Sequence, residues 1–263
     1  MTLQRDWEPS AYARFHDLRL RPALDLLAQV GPLPGEGGVI DLGCGAGVVA
    51  PALSALCPGR PLTGVDRSPA MLEEAEATGC YTRLVQADIG AWRPDAPAAL
   101  IFANAVLNWV PDHDRVLPDL ARCLLPGGVL AVQCPSQQEA PSHALLRQLS
   151  SALFPDLFDW SGWRDEVLDL AGYDSILAPL GQAVLWETTY AQSLGATAEG
   201  HPVRHFTAST AGRRILDRLD PAASQQFLSA YDAALEAAYP RRADGSVLFP
   251  FRRTFLVLRR PEA

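Results

Sequence analysis

Apolar and polar positions along this chain change rhythm at regular intervals. Val39-Ile40-Asp41-Leu42 is a short, mostly apolar run that stops at Gly43-Cys44-Gly45-Ala46-Gly47. That combination predicts a buried strand feeding a glycine turn, with a helix over Val48–Cys57 behind it. The alternation continues with a strand at Leu62–Val65, a helix at Pro69–Ala77, and strands at Arg83–Gln86 and Ala98–Ala103. A helix is expected over His113–Leu125. After Pro126-Gly127-Gly128 comes a strand at Val129–Gln133. Strands separated by helices predict an α/β fold with a parallel sheet covered on both faces.

The flanking regions read differently. Residues 1–37 predict an N-terminal helical arm. Ala23, Leu24, Leu26, Leu27 and Val30 follow Arg21-Pro22 at helical spacing, and Pro22 suits a first turn. Gly31 to Gly38 is a proline- and glycine-rich stop. From about 139 the strand–helix alternation is lost. Ala140–Leu153 predicts a helix, and Phe154–Gly181 reads as aromatic and irregular. Val184–Tyr190 alternates like a strand, while Thr207–Leu219 and Ala222–Tyr239 look helical. Val247–Arg259 predicts a last strand. The expected organisation is an arm over the site (1–37), a sheet domain (38–138 and 241–263), and a helical cap with the acceptor region (139–240). One sheet strand near 184–190 interrupts that cap.

Composition narrows the field. At 263 residues with 48% hydrophobic content, the chain can bury a sizeable core. No apolar run reaches the roughly 20 residues that cross a bilayer, and the N-terminus lacks a signal-like apolar core. Five scattered cysteines without a Cys-x-x-Cys pair suit a reduced, cytoplasmic setting and argue against structural zinc. The net charge of −8 disfavours nucleic acid as a partner. All 22 cationic side chains are arginine, which removes Schiff-base lysine chemistry and a P-loop lysine. The expected partner is therefore a small molecule, with no membrane or metal, in a monomer or weak homodimer.

Asp41, Asp66 and Asp88 carry the candidate chemistry. Asp66 ends the second strand run, 23 positions after Gly43, the distance that a strand–helix–strand unit requires. A carboxylate there can accept hydrogen bonds from ribose hydroxyls, or it can cap the helix that starts at Ser68-Pro69. Asp88, followed by Ile89, is placed to meet an adenine amino group with Ile89 against the ring, or to be a solvated turn residue. The loop spacing is G-x-G-x-G rather than G-x-G-x-x-G. Asp41 would also be unhelpful beside a pyrophosphate. A cofactor that carries an amino acid instead of a pyrophosphate fits better, namely S-adenosylmethionine.

Further segments extend this reading. They are Asp6-Trp7-x-Pro9-Ser10-x-Tyr12, Arg19-x-Arg21-Pro22, Gly64-Val65-Asp66-Arg67-Ser68-Pro69-Ala70-Met71 and Ala87-Asp88-Ile89-x-x-Trp92. Beyond them come Ile101-Phe102-Ala103-Asn104-Ala105, Trp109-Val110-Pro111-Asp112-His113, Gly128–Gln133, Trp186-x-Thr188-Thr189-Tyr190 and Phe251-x-Arg253-x-Phe255. Together with Asp41–Gly45 they resemble the trans-aconitate 2-methyltransferase family of class I S-adenosylmethionine-dependent methyltransferases, over nearly the whole chain. The resemblance implies a Rossmann-like, seven-stranded, mostly parallel sheet with the last strand antiparallel, plus a helical cap. It also implies methyl transfer to a carboxylate of a small polycarboxylic acid, most simply trans-aconitate. Other small acceptors, such as a malonyl thioester, or a non-catalytic cofactor-binding role, are the alternatives.

By that resemblance Asp41, Gly43, Cys44 and Gly45 line the methionine end, with Asn104 and Ala105 beside the sulfonium. Asp66 and Arg67 flank the ribose, Asp88 and Ile89 the adenine, and Met71 belongs to the same cofactor site. Tyr12, Arg21 and Trp109 are expected to complete the cofactor site. A carboxylate acceptor is already ionised at neutral pH, so no general base and no catalytic side chain are expected. Cations that grip the acceptor's other carboxylates are needed instead, and arginine forks suit that task. Arg19, Arg213 and Arg253 are the candidates, with Trp7 and Tyr190 as aromatic walls. Arg252 and Arg253 are neighbours on one strand and face opposite ways, so only one of them can point inward. The chain departs from the family pattern at Ser136-Gln137-Gln138, at Gln192 and at Ser209–Arg214, all in the acceptor half.

Overall fold

β1 (Val39–Leu42) is buried at every position because parallel strands flank it, β2 (Leu62–Asp66) on one side and β4 (Ala98–Asn104) on the other. A strand buried on both faces reads as an apolar run rather than an alternation. The computed structural model describes residues 16–164, 166–208 and 210–262. β3 (Arg83–Gln86) pairs with β2 at one edge, and its end residues are exposed. β5 (Leu124–Pro135) lies beyond β4. β7 (Val247–Arg259) runs antiparallel to β5, and β6 (Gln182–Leu194) closes the far edge. The order β3-β2-β1-β4-β5-β7-β6 has seven strands with β7, the last in sequence, antiparallel to β5, as the family resemblance implies.

The helices are α1 (His16–Leu27), α2 (Ala50–Leu56), α3 (Pro69–Ala77), α4 (His113–Arg122) and α5 (Pro141–Leu153). They continue as α6 (Leu170–Leu177), α7 (Pro202–Ala208), α8 (Arg213–Leu216) and α9 (Pro221–Ala238). None of the described helices is long and apolar enough to cross a membrane.

The described chain divides into two units. The sheet unit takes residues up to 135, then 166–188, and 253 onward; the helical unit takes 136–164 and 189–252. In the sheet unit, Ile40, Leu42, Ile101, Leu130 and Val132 pack with Val116, Leu117 and Leu120 of α4 and with Tyr173 and Leu177 of α6. Each such side chain stabilises the fold by about 1.5–3 kcal/mol on full burial. In the helical unit a buried polar web ties α5, α7 and α9 together. The Tyr231 hydroxyl donates to Ser142 O at 2.8 Å and meets Thr207 Oγ1 at 3.1 Å, and Ser142 N donates to the Tyr239 hydroxyl at 3.1 Å.

Four local expectations are corrected. The helix after His113 ends at Arg122 rather than Leu125, because Leu124 is captured by register with Ala98 in the sheet. The Pro126-Gly127-Gly128 turn is then an excursion within β5, not its start. Phe154–Gly181 is not wholly irregular. α6 forms there, capped by Asp169, which accepts from Gly172 N at 2.8 Å. The run Thr207–Leu219 is broken, since Thr210 N and Gly212 N both donate to Thr207 O at 3.0 Å and turn the chain between α7 and α8. Finally, Pro22 lies inside α1, not in its first turn.

Candidate functional site

The glycine turn after β1 is pinned from below. Gly43 N and Cys44 N both donate to Val65 O, at 2.7 and 3.0 Å, which bends the chain out of the sheet. Gly43, Gly45 and Gly47 all have positive φ, at 74°, 52° and 74°. Their reasons differ. A Cβ at Gly43 would overlap the Val106 side chain, and one at Gly47 would press on Thr78, Ala75 and Tyr81 at 3.0–3.1 Å. A Cβ at Gly45 would meet no protein atom within 4 Å. Gly43 and Gly47 therefore serve packing, whereas Gly45 leaves backbone bare on a side open to a ligand. Gly43→Ala is expected to lower the melting temperature by several degrees, since it adds a clash to a left-handed strain of about 1–2 kcal/mol. Gly45→Ala carries only the strain. It should keep the fold while losing at least about tenfold in S-adenosylhomocysteine affinity by calorimetry, about 1.4 kcal/mol. Equal melting losses for the two variants would contradict this division.

Asp66 joins the turn to the next helix. Its Oδ2 accepts from Gly45 N at 2.9 Å and its Oδ1 accepts from Ser68 N at 2.9 Å. The cap of α3 is Ser68, whose hydroxyl accepts from the N–H of buried Met71 at 3.2 Å. Each Asp66 oxygen retains acceptor capacity for a ligand hydroxyl. Arg67 is exposed. At the end of β3, exposed Asp88 accepts from Gly90 N at 2.9 Å while Ile89 is buried beneath it.

Asp41 is only 3% exposed and accepts a 2.7 Å hydrogen bond from the Tyr81 hydroxyl. Burial pushes its carboxyl up to about 7, the Tyr81 hydrogen bond opposes that rise, and the nearby Asp66 charge adds to it. The same pocket pushes the thiol of buried Cys44 up, through burial and then the Asp41 and Asp66 charges. Such a carboxylate is favoured in its ionised form once a cation arrives. The Tyr81 ring also explains Gly64, because a Cβ there would lie 2.7 Å from it. Sequence reading misses Tyr81. Its partner is 40 residues away, and nothing local marks it.

β4 ends at Asn104, whose Oδ1 is buried without a hydrogen-bond partner among the described residues. Ala105, next to it, holds a left-handed φ of 55°, a conformation that costs a non-glycine residue and tends to persist at functional sites. Val106 closes on Gly43, and half-buried Trp109 follows in a short 3-10 turn. His113 is buried and meets Tyr173 and Leu107 O through its two ring nitrogens, both at 2.9 Å. On β7, buried Arg253 donates from Nη1 to Gln133 Oε1 at 3.2 Å. The structure thus brings Asp41, Gly43, Cys44, Gly45, Asp66, Asp88, Ile89 and Asn104 to the C-terminal ends of adjacent parallel strands, where α/β sheets bind ligands. Open backbone at Gly45, an unmet acceptor at Asn104 and a proton-raising pocket at Asp41 fit a ligand that bears hydroxyls and an ammonium.

Arg21 is exposed and pairs with Asp25 of its own helix at 3.0 Å. Trp7 and Tyr12 lie outside the described residues, as does the Arg19 side chain. In the helical unit Tyr190 is half-buried, and Arg213 lies 3.7 Å from Asp217 one turn along. Arg252 belongs to this unit and donates from Nε to Ser136 O at 3.0 Å. A cationic, aromatic patch was not foreseen there. Arg147 lies over the Trp163 ring at 4.3 Å, and the charges of Arg147 and Arg214 reinforce burial in lowering His143 to about 4. Among the described residues no group of three or more His, Cys, Asp or Glu could hold a metal.

Comparison with known proteins adds to this geometry. The profile of a methyltransferase domain family matches residues 12–168. The chain is 43% identical over 259 residues to a trans-aconitate 2-methyltransferase from Methylobacterium nodulans, covering 97% of this chain and 98% of that one. It is 40% identical to one from Paracidovorax citrulli at the same coverage. Among solved structures it resembles the YcgJ protein of Bacillus subtilis (TM-score 0.57, 16% identity, 92% of this chain and 100% of that one). It also resembles a Haemonchus contortus phosphoethanolamine N-methyltransferase in complex with S-adenosyl-L-methionine (TM-score 0.52, 16% identity, 92% and 53%). At these identities the structural likeness concerns the fold.

Proposed function

Since the chain belongs to the trans-aconitate 2-methyltransferase family and is an S-adenosylmethionine-dependent methyltransferase, we propose that it esterifies one carboxylate of a small polycarboxylic acid, with trans-aconitate as the first acceptor to test. The observation that carries the reading is the buried arginine of β7. Arg253 is 2% exposed on the strand beside β5, in the unit that also carries the glycine turn. A guanidinium so placed suits a substrate that presents carboxylates beyond the one being methylated.

S-adenosylmethionine supplies an electrophilic methyl group on a sulfonium. The chain's own residues bind and orient. Asp66 would take the ribose hydroxyls, Asp88 and Ile89 would hold the adenine, and Asp41 with the Gly43–Gly45 backbone would hold the methionine end. Arg67, Met71, Ala105, Trp109, Arg21 and Tyr12 are assigned to the same cofactor by the resemblance alone. Trp7, Arg19 and Tyr190 are assigned to the acceptor on the same ground, and Arg213 is assigned to it as an arginine fork suited to a carboxylate. The acceptor carboxylate is already ionised at neutral pH and is a nucleophile without proton removal, so this chemistry needs no general base. Positioning can then supply roughly 7–11 kcal/mol of the barrier. We place the enzyme in the cytoplasm, acting as a monomer or weak homodimer.

The test is methyl transfer from labelled cofactor to a panel of organic acids, an amine and a phenol. A labelled methyl ester of trans-aconitate or another di- or tricarboxylate is the expected product. Label transferred only to the amine or phenol would refute the carboxylate reading while leaving the cofactor assignment intact.

A further inference from the structure

Gln133 of β5 is completely buried, and its Nε2 has no hydrogen-bond partner among the described residues. The orientation of this amide is not arbitrary. Its Oε1 accepts from Arg253 Nη1 at 3.2 Å, and a guanidinium has donors only, so the amide nitrogen must face away from the arginine. A buried donor left unmet is rare in folded proteins and calls for an explanation. The acceptor for buried Arg253 accounts for an oxygen at this position, and a glutamate would supply it with a full charge and no unmet donor, so pairing with Arg253 does not by itself account for the amide nitrogen of a glutamine.

The surroundings suggest what meets the donor. Gln133 sits directly across from Asn104 in the β4–β5 register, and β5 lies between β4 and β7 in the sheet. Paired residues of neighbouring strands lie about 4.8 Å apart and share a face. The Gln133 amide therefore lies one strand over from the residue that ends β4, on the side of Arg253. A neutral N–H donor oriented by a buried cation describes a subsite for an anionic oxygen.

We propose that Gln133 is a substrate-binding residue, its Nε2 donating to a carboxylate of the acceptor acid while Arg253 holds the amide in that orientation. The inference rests on the polycarboxylate reading above and adds the donor that would read the acid. The same chemistry could be presented by the carboxylate of the cofactor's methionine, so the test must separate the two sources.

Gln133→Glu separates them. It keeps size and shape and offers Arg253 a charged partner, so melting should be unchanged or raised. It removes the donor and sets a carboxylate against the incoming one. Trans-aconitate titrated calorimetrically into protein saturated with S-adenosylhomocysteine should bind at least about 100-fold more weakly to this variant. Its KM should rise in parallel, while S-adenosylhomocysteine affinity stays within about twofold. Gln133→Met, which deletes the donor together with the acceptor for Arg253, should lower the melting temperature and weaken acid binding at least about tenfold with the same cofactor affinity, a loss of the size expected for one hydrogen bond to a charged group. Unchanged acid affinity in a folded Gln133→Glu protein would overturn the proposal. So would a fall in cofactor affinity with acid binding intact, because the donor would then serve the methionine carboxylate. Failure of the unmutated enzyme to bind any polycarboxylate would overturn this inference together with the reading beneath it, and that result is visible before any variant is made.

Discussion

Asp66→Ala is expected to weaken S-adenosylhomocysteine binding at least about 100-fold, while the protein still folds. The carboxylate holds Gly45 N and Ser68 N, both at 2.9 Å, and offers its remaining lone pairs to ribose. Hydrogen bonds to a charged group contribute about 1.5–3 kcal/mol each. Loss of two from the ligand alone amounts to about 3–6 kcal/mol, and about 1.4 kcal/mol is tenfold. Release of Gly45 adds disorder at the one turn position whose missing side chain faces open space. Stability should fall less than affinity, because Ser68 rather than Asp66 caps α3. Isothermal titration and a melting curve measure the two effects separately. An Asp66→Ala protein that binds the ligand within a few-fold of the parent would remove Asp66 from the site.

The second large effect is a pH dependence centred on Asp41. The folded, ligand-free protein holds this carboxyl at about 7, against an ordinary value of 3.8. Between those values the folded state keeps a proton that the unfolded chain releases. The resulting stabilisation is fully present below about pH 4 and is lost as pH rises through 7. It amounts to about 1.4 kcal/mol per pH unit, or roughly 4 kcal/mol across the window. Ligand binding runs the opposite way. An ammonium facing Asp41 favours the ionised form, so S-adenosylhomocysteine affinity should climb about tenfold per unit up to pH 7 and then level off. Asp41→Asn should abolish both slopes and bind weakly at every pH. Tyr81→Phe removes the 2.7 Å hydrogen bond that favours the ionised carboxylate, so the midpoint of the affinity curve should move upward. Affinity that is flat between pH 5 and 8 in the unmutated protein would exclude Asp41 as the ammonium partner.

Much of the sheet was legible before any coordinates because its signals are local. The turn after Leu42, Asp66 at the end of β2 and Ile89 after β3 are marked by runs of four to six residues that hydrophobic periodicity and glycine spacing can read. Misreadings occurred where backbone hydrogen bonds, one set distant in sequence and one within a turn, override local side-chain preference. Leu124 reads as helix by its neighbours but is taken up by Ala98 of β4, and the helical run after Thr207 is broken by backbone hydrogen bonds at Gly212. Asp66 as ribose ligand or as helix cap was undecidable from spacing, and Ser68 takes the capping role.

The sequence by itself determined the α/β architecture, the glycine turn and the family, because these rest on patterns that survive within a few residues or across aligned relatives. Only the tertiary structure decided which polar groups face one another. Tyr81 reaches Asp41 across 40 residues of chain, and Arg253 orients Gln133 across 120. Burial then sets their chemistry. It raises the proton affinity of Asp41 and leaves the Gln133 amide nitrogen without a partner among the described residues, since desolvation acts on the folded surroundings of a group and not on its neighbours in sequence.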